Sequence, residues 1–280
     1  MRLIDSGACS SAFNMAADES LFLSFSPATD DPVLRLYCWE RPCVSLGYFQ
    51  RANDAVKRAS CEEHGVDIVR RITGGRAVLH DQEVTYCLVA PVKTGPFAGR
   101  LLECYQAIAA CLSTGCELLG IPGDEIEVKT GQDVRAAKVI NSNSAAACFM
   151  MTSAYEILVS GRKLIGSAQK RGDEVFVQHG SIPLRIDMPL ALSVMRVDGN
   201  RMSIGVKGET PSDEPPGPAW LEGAVGRSLT FDEVKAAIGE GFAKRLGTSI
   251  ERSNLTESER TLADALSVKK YGDDSWNFKR

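Results

Sequence analysis

Three short β runs between residues 155 and 184 restrict the fold more than any other feature of the chain. They read YEILVSG, RKLIGSAQ and EVFVQHGSIPL, and Ser-Gly and Arg-Gly-Asp turns separate them. Such short turns join only antiparallel neighbours, because parallel strands need a crossover of a dozen or more residues. We therefore predict an antiparallel meander, and the absence of a strict strand–helix alternation disfavours a doubly wound sheet.

The rest of the chain supplies further strands and several helices. RLID predicts a strand, and a helix follows from near Ser11. PVLRLYCW and CVSLGYF are β runs that we interpret as a hairpin. The clearest helix covers residues 98–120, where apolar side chains recur every three or four residues.

Two helices near the end of the chain each open with a capping box. Thr230 pairs with Glu233 and Thr256 with Glu259, the spacing that satisfies free amide donors. Residues 208–218, rich in proline and glycine, predict a loop. The fold class we expect is α+β, with a mixed or antiparallel β-sheet surrounded by helices.

Composition excludes several classes of function. The chain has 280 residues, 44% hydrophobic content and a net charge of −4, which suits one large globular domain and disfavours general nucleic-acid binding. It has neither an apolar run of about 20 residues nor a signal-peptide pattern. We expect a cytoplasmic monomer without a membrane segment.

The nine cysteines and three histidines favour neither disulfides nor a metal site. The cysteine count is odd, no CxxC occurs, and the histidines lack ligand spacing. A free cysteine packs as a small hydrophobe, so most of these thiols are expected in the core. We expect no metal and no cofactor.

Residues 70–80, RRITGGRAVLH, form the first candidate binding segment. Two adjacent glycines let a backbone approach a ligand closely and offer it amide donors. A tight hairpin turn with solvated arginines explains the same residues about equally well. The segment is neither a dinucleotide fingerprint nor a Walker loop.

Cys148 and Lys163 form a candidate catalytic pair. They flank a predicted hairpin, fifteen residues apart in the sequence. A nearby ammonium lowers the pKa of a thiol, and a desolvated lysine can later accept a proton from an amine. The spacing alone favours coincidence over catalysis.

Charge is unevenly distributed around this pair. Residues 129–171 carry seven lysines and arginines against Asp133 and Glu156, a local excess of +5 in an acidic chain. The region is either an ordinary mixed surface or a docking patch for an acidic partner or a phosphorylated ligand.

Several segments together resemble the biotin/lipoate protein ligase family. RRITGGRAVLHDQEVTY is similar to its glycine-rich acyl-binding segment, RKLIGSAQ to its lysine segment, and QHGSIPL to the strand that follows. SLGYFQ and DDSWNF also match, so the resemblance spans almost the whole chain. CFMMTSAYEILVSGRK most resembles the branch of cysteine-dependent protein octanoyltransferases, although Met150 and Met151 depart from its usual residues.

The resemblance implies an activity and an organisation. Octanoyl-acyl carrier protein would donate an octanoyl group to Cys148, and a lysine of a lipoyl-domain protein, such as the H protein of glycine cleavage, would accept it. Residues 1–225 would form the catalytic domain, and 226–280 a helical extension packed on it without a separate accessory domain. His80 and His179 could equally be structural. The resemblance places Lys163 beside the thiol and implies that the following residues line the acyl pocket: Arg71, Thr73, Gly74, Gly75, Arg76, Ala77, His80, Gly166, Ser167 and Ala168.

Three alternatives remain open. An ATP-dependent lipoate or octanoate ligase would use Lys163 to hold an acyl-adenylate and leave Cys148 incidental. An amidotransferase would move octanoyl from H protein to dehydrogenase E2 subunits. A non-catalytic acyl-binding module would dock a partner without reaction.

Overall fold

The predicted meander forms three adjacent strands of an eight-stranded mixed sheet. The structure, a computed structural model, describes residues 1–129, 156–196 and 217–280. The strand order is β11-β1-β2-β6-β10-β9-β8-β7, in which β1 runs parallel to β2 and β11 and every other pair is antiparallel. These strands are β1 (Arg2–Cys9), β2 (Val33–Trp39), β6 (Glu83–Pro91), β7 (Ile126–Val128), β8 (Ile157–Val159), β9 (Arg162–Arg171), β10 (Val175–Pro183) and β11 (Glu251–Ser253).

A second, three-stranded sheet carries the segment predicted to pair with β2. Its strands are β3 (Cys43–Leu46), β4 (Asp67–Arg70) and β5 (Val78–His80), with β3 parallel to β4 and antiparallel to β5. The predicted β2–β3 hairpin is therefore wrong. Both edges of β2 are already paired, to β1 and to β6, so β3 has no free backbone donors or acceptors to join there.

Helices cover the large sheet on both faces. The α-helices of the described residues, some of which pack on the small sheet instead, are α1 (Ser11–Ser24), α2 (Ala52–Ala55), α3 (Arg58–Glu63), α4 (Leu101–Leu118), α5 (Met188–Val194), α6 (Leu221–Val225), α7 (Phe231–Leu246), α8 (Glu257–Leu266) and α9 (Asp274–Asn277). The helix predicted over 98–120 is confirmed as α4, and both capping boxes are confirmed at the starts of α7 and α8. The loop predicted at 208–218 lies almost wholly outside the described residues.

Side chains of β2 alternate between the two helical layers that cover the large sheet. Leu34 and Leu36 pack with α4 and α7 on one face, and Val33 and Tyr37 pack with α1 on the other. All seven residues of β2 are buried, because both faces are covered. Each fully buried Leu or Val of this kind contributes about 1.5–3 kcal/mol to the free energy of unfolding.

The segment after residue 225 adds to both the sheet and the helical layer. Its β11 extends the large sheet beside β1, so the extension is not wholly helical. Ile238 and Phe242 of α7 share a core with Ile108 and Leu112 of α4. The division at residue 225 stays a prediction. No helix within the three described ranges is long and apolar enough to cross a bilayer.

Close contact between α4 and α7 depends on two glycines. A Cβ added to Gly241 would lie 2.5 Å from the amide nitrogen of Gly115 and 2.7 Å from the carbonyl oxygen of Cys111. A Cβ on Gly115 would lie 2.8 Å from Cδ1 of Ile238. The two backbones therefore touch without intervening side chains, which leaves no room for a methyl group.

Gly241→Ala is expected to destabilise the protein by about 1–3 kcal/mol, because the new methyl group overlaps backbone atoms that cannot rotate away. This loss exceeds the gain of about 1 kcal/mol that alanine brings to a helix interior. Urea unfolding measures the difference. Gly239→Ala in the same helix is the control, since its nearest neighbour is the end of the Leu3 side chain, 3.2 Å away. Equal stability of the two variants would contradict the proposed backbone contact.

Candidate active site

A cavity of about 110 Å³ lies between the glycine turn and the strands β9 and β10. Thr73, Gly74 and Ala77 belong to the same turn but do not line the cavity. Cys148 lies outside the described residues. Eight residues of the predicted set line the cavity: Arg71, Gly75, Arg76, His80, Lys163, Gly166, Ser167 and Ala168.

Lys163 brings a buried charge to the cavity wall. Its side chain is 8% exposed, and its Nζ lies 2.5 Å from Oε1 of Glu156, whose side chain is 5% exposed. Pairing offsets the cost of removing both charges from water. The backbone oxygen of Lys163 accepts a hydrogen bond from the amide of Ala219, which fixes the strand at this point.

Gly166 makes room for the lysine side chain. A Cβ at this position would lie 2.8 Å from Cε and 3.0 Å from Nζ of Lys163. The ammonium group therefore lies across the bare backbone of Gly166. Glycine at this position of RKLIGSAQ is a packing requirement of the lysine, three residues earlier on the same strand.

Arg71 holds the glycine turn in shape. Its guanidinium is buried and donates from Nη2 to the carbonyl oxygens of Gly74 and Arg76, at 2.8 and 2.7 Å. Its Nη1 donates to the carbonyl oxygen of Ser45 in β3, at 2.8 Å. A buried planar group with several fixed donors thus ties the turn to the small sheet.

The two glycines of the turn differ in their surroundings. Gly75 has φ +93°, and a Cβ there would lie 2.7 Å from Nη2 of Arg71. A Cβ on Gly74 would meet nothing within 4 Å. The backbone of Gly47 also packs against the turn, since a Cβ on Gly47 would overlap the carbonyl oxygen of Gly75.

His80 and His179 each connect a hydroxyl group to a carboxylate. Nε2 of His80 lies 2.7 Å from Oγ of Ser45, and its Nδ1 lies 2.7 Å from Oε1 of Glu83. Nε2 of His179 lies 2.7 Å from Oγ1 of Thr73, and its Nδ1 lies 3.1 Å from Oδ2 of Asp18. Both histidines therefore bond to side chains at both ring nitrogens.

Arg71 also contacts the hydroxyl partners of both rings. It donates to Oγ of Ser45 at 3.1 Å and to Oγ1 of Thr73 at 3.2 Å. A hydroxyl that accepts from arginine keeps its own proton available for Nε2 of the histidine. For His179, burial favours the neutral ring, whose proton then lies on Nδ1 and faces Asp18.

Burial and neighbouring charge reinforce the neutral state of His179. Burial lowers the pKa of this imidazole below its ordinary value, and the positive charge of Arg71 acts in the same direction. Burial by itself would raise the pKa of Asp18, but hydrogen bonding to His179 and the charge of Arg35 together hold it below its ordinary value. Asp18 and Arg35 form a fully buried ion pair at 2.8 Å.

Sequence reasoning missed several cavity residues and left His179 undecided between roles. Tyr37, Trp39, Ser45 and Ser181 also line the cavity. The ring of Trp39 stacks on His80 with centroids 4.3 Å apart, and its Nε1 donates to Thr85. The tryptophan comes from β2 in the large sheet and the histidine from β5 in the small one, so no local spacing signals their contact.

Most described cysteines are core residues, as expected. Seven are buried and Cys9 is half-buried, and all eight are free thiols. Burial raises the pKa of several of them, including Cys38 to about 11 and Cys116 to about 12, which keeps those thiols protonated. Within the described ranges, no group of three or more potential ligands could hold a metal ion.

The fold and this cavity define a lipoyl ligase catalytic domain. Residues 10–243 match the family described as "Lipoyl protein ligase A/B catalytic domain", and the chain belongs to this family. The chain has the same fold as protein Ta0514 from T. acidophilum with bound lipoic acid (TM-score 0.76, 22% identity, 99% of this chain and 98% of that one). A lipoate-protein ligase A bound with ATP also shares the fold (TM-score 0.75, 22% identity, 99% and 98%).

Curated relatives are more similar in sequence. Octanoyltransferase LipM of Kyrpidia tusciae is 38% identical over 279 residues, which cover 100% of this chain and 98% of the relative. Octanoyltransferase LipM of Geobacillus kaustophilus is 37% identical with the same coverage. The expected α+β fold and family resemblance are thereby confirmed, and the protein is an acyltransferase.

Gly75→Ala is expected to lower the melting temperature by several degrees, because alanine is strained at φ +93° and its methyl group would displace the Arg71 guanidinium. Gly74→Ala is the matched control and is expected to leave the melting temperature unchanged within about 2 °C. Thermal unfolding followed by circular dichroism makes the comparison. Equal shifts in the two variants would show that Arg71 does not hold this turn.

Stability is expected to fall as the pH is lowered from 7 to 5. Because the pKa of folded His179 lies below its ordinary value of 6.5, the unfolded state binds more protons than the folded state in this range. His179→Gln should reduce this loss of stability with falling pH. Urea unfolding gives the free energy of unfolding at each pH, and His64→Gln is the control for an exposed histidine. An unchanged pH dependence in His179→Gln would contradict the buried neutral imidazole.

Proposed function

We propose that this enzyme transfers an octanoyl group from octanoyl-acyl carrier protein to a lysine of a lipoyl-domain protein, through a thioester on Cys148. The transfer would be the first step of protein lipoylation. The glycine cleavage H protein is the proposed acceptor. The proposal requires neither ATP nor a metal.

The observation that carries the proposal is the buried amine of Lys163 at the wall of a largely apolar cavity. Met15, Tyr37, Trp39 and Val78 supply apolar surface there, which suits an alkyl chain. The relatives named octanoyltransferases support octanoate as the acyl group. Arg71, Gly75 and Arg76 on one wall and Gly166, Ser167 and Ala168 on the other would enclose the chain.

Two exchanges at one carbonyl carbon complete the reaction. The thiolate of Cys148 attacks the donor thioester, a new C–S bond forms, and the carrier thiol leaves with a proton. The acceptor amine then attacks the acyl-enzyme, an amide bond forms, and the C–S bond to Cys148 breaks. Lys163 gives its proton to the departing carrier thiolate in the first exchange and takes the proton lost by the amine in the second, so atoms and charge balance.

The energetics need no external driving step. Exchange of one thioester for another is close to isoenergetic, and conversion of a thioester to an amide is favourable. The proposed role of Lys163 is to favour the thiolate at Cys148 by its positive charge and to orient the acyl carbonyl oxygen. Glu156 holds the ammonium group against Gly166, within reach of the cavity.

Cys148→Ala is expected to abolish octanoyl transfer, because none of the eight described cysteines lines the cavity and could replace it as the nucleophile. Incubation of the wild type with octanoyl-acyl carrier protein should add one octanoyl mass that hydroxylamine removes, as measured by intact-mass spectrometry. Cys9→Ala is the matched control, since Cys9 is the half-buried thiol of the described set. It should keep both the adduct and the transfer.

Other outcomes would identify the alternatives. Full activity of Cys148→Ala with ATP and free octanoate would indicate a ligase. An adduct that forms from octanoyl-H protein and not from the carrier protein would indicate an amidotransferase. Absence of any adduct and of any transfer would leave a binding module.

A further inference from the structure

A cluster of cations and aromatic rings lies next to the glycine turn, outside the cavity. Nζ of Lys279 lies 3.8 Å from the ring centroid of Tyr48 and 3.5 Å from that of Trp276. Nζ of Lys270 lies 3.9 Å from the ring centroid of Trp276, and Cζ of Arg280 lies 5.8 Å from that of Tyr48. Aromatic faces hold these ammonium and guanidinium groups in place without neutralising them.

Arg70 lies beneath the cluster as a buried positive charge. It is fully buried, and its Nε and Nη1 donate to the backbone carbonyl oxygens of Asn277, Gly47 and Gln50. Its Nη2 is buried without a hydrogen-bond partner, and no carboxylate of the described residues pairs with it. The tryptophan of the cluster donates from Nε1 to the Arg70 carbonyl oxygen, so the two are in direct contact.

The cluster keeps a strong positive excess. Glu19 pairs with Lys270 at 2.7 Å, whereas neither Lys279 nor Arg280 forms a salt bridge with a carboxylate side chain of the described residues. Burial, followed by the charges of Arg70, Lys270, Arg280 and Lys170, lowers the pKa of Lys279 to about 8. Mutual repulsion of this kind marks a site that an anion would stabilise.

The position of the cluster relates it to the cavity. The amide of Tyr48 donates to the carbonyl oxygen of Thr73, so the ring is anchored to the glycine turn. Lys170 follows Ala168, a cavity residue, by two positions on β9, and alternate residues of a strand share a face. Lys163 reaches across Gly166, so about 13 Å of strand separates its amine from Lys170.

We propose that Lys279, Arg280 and Lys170 bind the phosphate group of the donor's phosphopantetheine arm while its thioester lies at the cavity. This inference rests on the proposed function. The arm contains two amide units, and its extended length is roughly that of five peptide residues, about 17 Å. That length exceeds the roughly 13 Å of strand between the amine of Lys163 and Lys170.

A small phosphate fits this cluster better than the acidic face of a protein does. The positive charges all act on Lys279, which lies against two aromatic rings, and they are not spread over a broad surface. The buried guanidinium of Arg70 adds to the positive charge at this point. A phosphodiester is compact and accepts several charge-assisted hydrogen bonds. Lysine or arginine side chains over the ring faces can donate to it without leaving the aromatic contacts.

Isothermal titration of the full-length protein with phosphopantetheine and with pantetheine tests the site without any reaction. Phosphopantetheine should bind about tenfold more tightly, the difference expected for a few charge-assisted contacts. Lys279→Gln and Arg280→Gln should each bring the two affinities to within about threefold. Lys244→Gln on α7 is the matched control, because Lys244 contacts only Glu240 among the described acidic residues, and it should keep the tenfold preference.

A second measurement follows the rate of Cys148 acylation from octanoyl-phosphopantetheine and octanoyl-pantetheine. The wild type should react faster with the phosphorylated donor, and Lys279→Gln should lose this preference. Equal binding of the two arms by the wild type would overturn the inference, whatever the outcome for acylation. The inference would also be overturned, in favour of protein docking, if Lys279→Gln lowered the acylation rate only with octanoyl-acyl carrier protein and still preferred the phosphorylated small donor. If the wild type bound phosphopantetheine more tightly than pantetheine but Cys148 was never acylated, only the proposed function would be refuted.

Discussion

The buried guanidinium of Arg71 is the interaction on which the candidate site depends. One side chain donates to the backbone of the glycine turn, to β3 and to the two hydroxyls that face the histidines. The carbonyl oxygens of both Gly74 and Arg76 accept hydrogen bonds from this one guanidinium. The cavity wall is therefore organised around one residue, and its geometry follows from the planarity of that group.

The two sheets contribute different parts of the site. The small sheet and its turn supply a wall of backbone and fixed donors, whereas the large sheet supplies Lys163, Gly166 and His179. The side chains of Thr73 and His179 join the two walls at 2.7 Å. A relative movement of the sheets would break that bond together with the stacking of Trp39 on His80. These two contacts thus fix the walls of the cavity relative to each other, as the proposed orientation of a thioester would require.

Local features of the sequence predicted much of this arrangement. Turn residues divide the meander, hydroxyl–carboxylate spacings mark the starts of α7 and α8, and adjacent glycines mark the turn. Each of these signals acts within a few residues, so periodicity and turn chemistry reveal it. Lys163 and the glycine segment were candidates from residue chemistry, and the family resemblance then favoured a functional interpretation; the described structure places them on one cavity.

Long-range partners were not predictable in the same way. The transfer of β3 to a second sheet depends on the edges of β2 being occupied, which no local pattern records. Thr73 and His179 are 106 residues apart in sequence, and Ser45 and His80 are 35 apart. No sequence pattern indicates that a hydroxyl and an imidazole so far apart in the chain will form a hydrogen bond. The buried, carboxylate-free environment of Arg70 is likewise a property of the packed chain.

The short strand β11 has a consequence for the solubility of the folded chain. It hydrogen-bonds to Arg2, Leu3 and Ile4 of β1, which would otherwise form an open edge of the large sheet. Open edges recruit strands from other molecules, whereas a three-residue strand bearing Glu251 and Arg252 offers little for pairing. Loss of this strand would expose the edge of β1 as a template for aggregation.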